Sequence, residues 1–249
     1  MKDIIDLHTH TIASGHAYNT INEMVQAAAE RGVKVLGITE HAPAMKGTCS
    51  ELYFSNLKAL SRKKQGIRVL YGAEVNILDI EGHVDLPERI LAQMDVVIAS
   101  MHIPCFKSGS MEENTRTYLN VMKNPYVNII GHPDDGRYPV DHRALAEAAR
   151  EHDVLLEVNN SSLSPLSMRV GAADNYRSLL AYCREFETAV IVGSDAHVDL
   201  DVGNHELAQR LLSEVEFPKE LVVNGRPEML KKYLRNRAEI ADMLDEVLC

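Results

Sequence analysis

Tryptophan is absent from the 249 residues, and only four phenylalanines and nine tyrosines are present. A core built from this chain must therefore be aliphatic, drawn from Val, Ile, Leu, Met and Ala; with 45% hydrophobic residues it can be sizeable. Positive charge is also scarce: 26 Lys and Arg face 36 Asp and Glu, a formal net charge of −10. Such a chain is a poor general binder of long nucleic acid or anionic membrane, both polyanions. A small anion can still bind wherever local cations reverse the field. The four cysteines, Cys49, Cys105, Cys183 and Cys249, form no C-x-x-C pair and no short disulfide frame. They read as free thiols of a reducing compartment. No apolar run is long enough to span a membrane, and Met1-Lys2-Asp3-Ile4-Ile5-Asp6 is no apolar leader, so a cytoplasmic protein is expected.

What is present is an alternation of short apolar runs and amphipathic stretches. Strands are expected at 4–7, 33–39, 68–74, 94–100, 127–131, 154–158 and 190–193. Their unbroken apolar character suits parallel strands covered on both faces. Helices are expected at 20–31, 52–65, 85–92, 111–123, 141–152, 172–186 and 203–215. A last helical stretch over 227–248 is expected to break around 235–237. The helix at 20–31 has the clearest punctuation, with Thr20 as N-cap, Glu23 in the first turn and Gly32 after the end. Strands alternating with helices make an α/β fold, either an open doubly wound sheet or a closed barrel.

The eleven histidines decide between these. His8 and His10 follow the first expected strand, His41 the second, His102 the fourth and His132 the fifth. Glu74 closes the third, and Asp195 and His197 follow the seventh. The sixth ends in a polar run, Asn159-Asn160-Ser161-Ser162. One histidine at a strand end is ordinarily a hydrogen-bonded polar residue. Six strand ends of seven, each delivering His, Asp or Glu, are a different matter. Burying that many imidazoles and carboxylates without compensation costs several kcal/mol, on the order of a whole domain's stability. Metal ions are the natural compensation. In a parallel barrel the carboxyl ends form one ring, whereas an open sheet spreads them along an edge. The placement favours a barrel with a metal site at its mouth. On an extended segment His8 and His10 share a side, and His16, in Ser14-Gly15-His16, can fold back over them. His83, His142, His152 and His205 read as ordinary polar residues.

These segments, Asp6-Leu7-His8-Thr9-His10, Ile38-Thr39-Glu40-His41, Gly72-Ala73-Glu74, Ser100-Met101-His102, Gly131-His132-Pro133 and Gly193-Ser194-Asp195-Ala196-His197, resemble the motifs of the PHP (polymerase and histidinol phosphatase) superfamily in their order. The resemblance runs over roughly 1–235 and is nearest to the YcdX-type phosphatase branch. It implies a distorted seven-stranded (β/α) barrel as one domain over 1–249, with 236–249 as a helical extension. It implies three divalent ions, zinc foremost, with Mn or Fe admissible. The first would take His8, His10, Glu74 and Asp195. The second would share Glu74 and add His102 and His132. The third would take His16, His41 and His197. A metal-bound hydroxide held among Glu74, Asp195, His102 and His132 would be the nucleophile. The branch also implies a homo-oligomer, a trimer being the first guess.

Three divalent ions against two ligand carboxylates leave a net positive first shell, which suits a phosphate monoester as substrate. Arg169, after the sixth strand, is the foremost candidate to grip the phosphate, with Arg137 and Lys107 behind it. The competing enzyme readings are a histidinol-phosphate phosphatase and a nucleotide phosphodiesterase or exonuclease on the same metals. A non-catalytic metal-binding module is the competing reading of another class.

Overall fold

Seven short parallel strands follow one another around a nearly closed barrel in the computed structural model, which describes residues 3–234 and 238–245. The strands are β1 (Ile5–Asp6), β2 (Val35–His41), β3 (Lys63–Lys64), β4 (Ile67–Asn76), β5 (Val97–Ser100), β6 (Ile129–Ile130), β7 (Leu155–Asn159) and β8 (Val190–Gly193). Their order is β1-β2-β4-β5-β6-β7-β8, every neighbouring pair being parallel, and β3 lies antiparallel on β4 outside this path. Around them run α1 (Ile21–Glu30), α2 (Glu51–Asn56), α3 (Glu88–Leu91), α4 (Met111–Val121), α5 (His142–Glu151), α6 (Ala172–Glu185), α7 (Glu206–Glu214), α8 (Pro227–Leu230) and α9 (Ala238–Asp245). Thr20 and Glu23 close α1 with a reciprocal capping box, and Ser110 and Glu113 do the same for α4. No helix among the described residues is long and apolar enough to cross a membrane.

The strands read as continuous apolar runs because they separate two cores. Alternate residues face outward to the helices, as Leu36, Ile38, Val69, Tyr71 and Val97 do, or inward, as Ile5, Leu7, Val35, Leu70, Ile98, Ile129, Leu155 and Ile191 do. Leu230, Leu234, Ile240 and Leu244 plug the inner core. Each fully buried aliphatic side chain contributes roughly 1.5–3 kcal/mol. The next inward positions on β4 and β8 are Gly72 and Gly193. A Cβ at Gly72 would strike Val96 O, and one at Gly193 would strike Glu157 Oε1. Two residues further along the same strand directions stand Glu74 and Asp195. The barrel is thus narrow at the glycine level and polar above it.

The seam between β1 and β8 is closed by side chains. Asn224 accepts from Val192 N (2.7 Å) and donates to Val192 O (2.7 Å) and Ile5 O (2.8 Å). Higher up, Ser194 Oγ donates to Asp6 (2.6 Å), and Thr9 and Ala196 form a parallel bridge.

The helix expected at 85–92 is shortened to Glu88–Leu91 and the strand expected at 94–100 to Val97–Ser100, and three further departures stand beside these. The helix expected at 52–65 ends at Asn56, gives way to a 3₁₀ turn at Leu57–Ala59, and the chain then forms the β3–β4 hairpin. Gln65 and Gly66, at φ 47° and 76°, make its tight turn, which a helix cannot contain. The helix expected from 203 begins at Glu206, because His205 turns inward to Asp3 at 2.6 Å. Of the final stretch, α8 ends at Leu230, residues 231–234 are not α-helical, and α9 spans Ala238–Asp245. The break expected at 235–237 lies outside the described residues, as do 236–237 and 246–249 of the expected extension.

Candidate metal centre

Glu74, wholly buried near the end of β4, is the hub. Its Oε1 lies 2.9 Å from His132 Nε2, 3.3 Å from His102 Nε2 and 3.4 Å from His8 Nε2. Its Oε2 lies 2.6 Å from His41 Nδ1 and 3.6 Å from His10 Nε2. Asp195 Oδ1 faces the same two residues of the first strand, at 3.5 Å from His8 Nε2 and 3.3 Å from His10 Nε2. His197 packs on His10 at 4.5 Å between ring centres, and His16 stacks against His41 (4.9 Å) and His197 (4.8 Å). All nine residues singled out in the sequence are therefore brought into one cluster.

Local backbone makes this possible. Thr9, between His8 and His10, turns away and donates to Gly37 O at 2.6 Å, so both imidazoles face one side. His132 and Asp195 sit at φ 30° and 55°. Left-handed non-glycine residues cost about 1–3 kcal/mol each and persist where the surroundings demand them.

Four buried atoms in the cluster, His8 Nε2, His10 Nε2, His41 Nδ1 and Glu74 Oε2, have no hydrogen-bond partner among the described residues. They are imidazole nitrogens and a carboxylate oxygen facing one another, an arrangement that is unfavourable unless protons or cations lie between them. Three groups bring their donor atoms within 4.8 Å of one another: His8, His10 and Glu74; His41, Glu74 and His102; and His10, His41 and His197. The electrostatics are mixed: Glu157, Asp195 and Glu74 outweigh burial and raise His8 well above the usual imidazole range. Burial would raise the Glu74 and Asp195 carboxyls, but the surrounding imidazoles hold both well below the usual range. Burial and nearby imidazoles push His10 well down, and burial together with Arg169 pushes His132 down to about 4. Ionised carboxylates and neutral imidazoles are the protonation states that bind divalent ions.

The sixth strand of the path carries none of the nine candidate residues, and its inward Glu157 contacts two of them instead. Glu157, in β7, accepts from His8 Nδ1 (2.7 Å) through Oε1 and from His132 N (2.8 Å) through Oε2. A carboxylate can only accept, so His8 carries a proton on Nδ1, and Nε2 is the nitrogen that the neutral ring offers to the cluster. Asn76 does the same for His102, whose Nδ1 lies 2.7 Å from Asn76 Oδ1 while the Asn76 amide nitrogen donates elsewhere. His197 Nδ1 donates to the Asp195 carbonyl at 2.9 Å. Sequence reading missed Glu157 and Asn76. The one available signal was a charged residue inside an otherwise apolar strand.

Among the substrate candidates, Arg169 lies at the site. Its Nη2 meets Asp195 Oδ2 at 3.0 Å, and its Nη1 meets Ser162 Oγ at 3.0 Å and Asn159 Oδ1 at 3.1 Å. Arg137 is instead held by Asp135, down to 2.6 Å. Lys107 is exposed in the loop after β5. Of the four histidines set aside, His83 is exposed and pairs with Asp79 (2.8 Å). His205 is not ordinary: it is buried between Asp3 and Asp6 at the barrel seam.

The PHP domain profile matches residues 6–189. A probable phosphatase of Clostridium novyi (strain NT) is 43% identical over 244 residues, covering 98% of this chain and 99% of the relative. Another, of Caldanaerobacter subterraneus subsp. tengcongensis, is 44% identical over 238 residues, covering 95% and 93%. Among solved structures, the histidinol phosphate phosphatase of Lactococcus lactis subsp. lactis Il1403, complexed with zinc, L-histidinol and phosphate, superposes with a TM-score of 0.59. It covers 87% of this chain and 95% of that one at 19% identity, a likeness of fold.

Proposed function

The chain belongs to the PHP domain family and is a phosphatase, and we propose that it hydrolyses small phosphomonoesters with three divalent ions held by His8, His10, His16, His41, Glu74, His102, His132, Asp195 and His197. The observation that carries this reading is the set of four buried atoms, Glu74 Oε2 and the three imidazole nitrogens around it, that have no hydrogen-bond partner among the described residues. In the proposed division, His8, His10, Glu74 and Asp195 serve one ion, Glu74, His102 and His132 a second, and His16, His41 and His197 a third. An imidazole-rich set with two carboxylates suits zinc and admits manganese or iron. Bound ions of this kind polarise phosphoryl oxygens and lower the pKa of a coordinated water.

The chain's own residues do the rest. Glu157 and Asn76 orient the imidazoles of His8 and His102, so donor atoms are in place before substrate arrives. Arg169, braced by Asn159, Ser162 and Asp195, brings a guanidinium to the edge of the cluster, where it can hold a phosphate oxygen. The cysteines nearest the site are poor nucleophiles: burial and Glu40 push Cys49 up to about 12, and burial pushes Cys105 up to about 11. Water is the better attacking group.

Protein of measured metal content, assayed against a panel of phosphomonoesters including histidinol phosphate and beside a nucleotide diester, tests this. Monoester hydrolysis lost on metal stripping and restored by zinc or manganese is expected. Full activity in verified metal-free protein refutes the metal reading, and preference for the diester refutes the substrate class.

A further inference from the structure

Glu40 and Ser14 bind no metal in the reading above, yet both are wholly buried beside the cluster. The 3₁₀ turn Ile12–Ser14, N-capped by Thr11 and ended by left-handed Gly15 (φ 78°), carries the Ser14 hydroxyl to the His10 ring. A side chain at position 15 would strike the Gly47 backbone, so the turn is pinned in place.

Ser14 Oγ has three polar neighbours: Glu40 Oε2 at 2.5 Å, His41 N at 3.0 Å and His10 Nδ1 at 3.1 Å. A serine hydroxyl has one proton and two lone pairs. The His41 amide can only donate, which occupies one lone pair. The Glu40 carboxylate can only accept, which takes the proton. It also accepts from Thr11 N (3.0 Å) and Thr11 Oγ1 (2.5 Å). The second lone pair of Ser14 is left for His10, and it can be satisfied only if His10 Nδ1 carries a proton. His10 Nε2 is then bare, at 3.3 Å from Asp195 Oδ1 and 3.6 Å from Glu74 Oε2.

We propose that Glu40 is a positioning residue which, through the Ser14 hydroxyl, holds His10 in its Nδ1–H tautomer and so presents the Nε2 lone pair to a divalent cation. The inference rests on the reading of His10 as a ligand. The opposite tautomer would put a proton where the ion must sit. The same hydroxyl also grips the His41 amide, so two ligands from different strands are set by one group. The segment Thr39-Glu40-His41 thereby supplies a ligand and, next to it, the group that prepares another.

The test is the protonation pattern of His10, read by ¹⁵N NMR of histidine-labelled metal-free protein, beside zinc affinity measured by chelator competition. Wild-type protein is expected to show His10 protonated on Nδ1. Ser14→Ala should lose that preference, and its zinc affinity should fall about 10–100-fold, as is usual when an outer partner of a metal ligand is removed. Glu40→Gln can still place an amide oxygen where Oε2 stands, so it should keep the tautomer and most of the affinity. A merely structural role for Ser14 would lower the melting temperature without moving the tautomer. Two results overturn the proposal: wild-type His10 protonated on Nε2, which needs no variant, or a folded Ser14→Ala protein with unchanged tautomer and zinc affinity. Wild-type protein that binds no divalent ion would instead overturn the metal-centre reading itself.

Discussion

Replacing Glu157 by Gln changes no volume and removes one acceptor, so its consequence can be worked out from the hydrogen bonds. Oε1 receives His8 Nδ1–H at 2.7 Å; Oε2 receives His132 N at 2.8 Å and Asn159 Nδ2 at 3.1 Å. A glutamine has one oxygen and one NH₂ for these places. With its oxygen toward His132 and Asn159, the NH₂ faces His8 Nδ1 and forces the proton to His8 Nε2, onto the ligand atom. With its oxygen toward His8, the NH₂ meets the His132 amide donor to donor. The first arrangement protonates the nitrogen that faces the cluster, and the second leaves a buried donor without its partner, at about 1–3 kcal/mol. Since about 1.4 kcal/mol is a factor of ten, divalent-metal affinity should fall on the order of 10–100-fold, in line with outer-partner losses at other metal sites. Chelator competition with zinc, beside kcat/KM on p-nitrophenyl phosphate at saturating metal, measures it. An E157Q protein with wild-type zinc affinity and wild-type turnover would refute the claim that Glu157 orients His8.

Other expectations follow from the same geometry. Gly193→Ala would push a methyl into Glu157 Oε1 and to 3.0 Å from His8 Cβ. Overpacking of this kind costs about 1–3 kcal/mol, read as a lower melting temperature together with weaker zinc binding. Asn224→Ala leaves Val192 N, Val192 O and Ile5 O without their side-chain partner at the seam. A loss of about 2–4 kcal/mol in urea unfolding is expected, with zinc affinity of the folded protein nearly unchanged because Asn224 touches no ligand. His205 gives a pH signature. Burial opposes its charge, but Asp3 and Asp6 raise its pKa from 6.5 to about 10. A raised folded-state pKa contributes stability in full below 6.5, and that stability is lost as pH climbs through 10. The stability gap between wild type and His205→Gln should therefore narrow from pH 6.5 to 10 in thermal melts; a gap constant over that range would show that His205 is not held charged.

The sequence by itself determined the strand-and-helix alternation and the delivery of His8, His10, His41, Glu74, His102, His132, Asp195 and His197 near successive strand ends. Those features are local: a two-sided strand must be apolar throughout, and a residue just past its carboxyl end arrives at the mouth whatever the rest of the barrel does. Where local pattern was ambiguous the reading failed, as at 52–65, where spacing compatible with a helix continues into a hairpin turned by Gln65 and Gly66. Tertiary structure alone decided which groups meet across the barrel. Glu157 reaches His8 over 149 positions of sequence, and Asp3 reaches His205 over 202. No periodicity encodes such pairs, because they depend on how the ring closes. The proton position on His8 Nδ1 depends on Glu157 in turn. The candidate ligands were therefore visible along the chain, whereas the groups that orient His8 and His102 came only with the barrel that brings Glu157 and Asn76 to them.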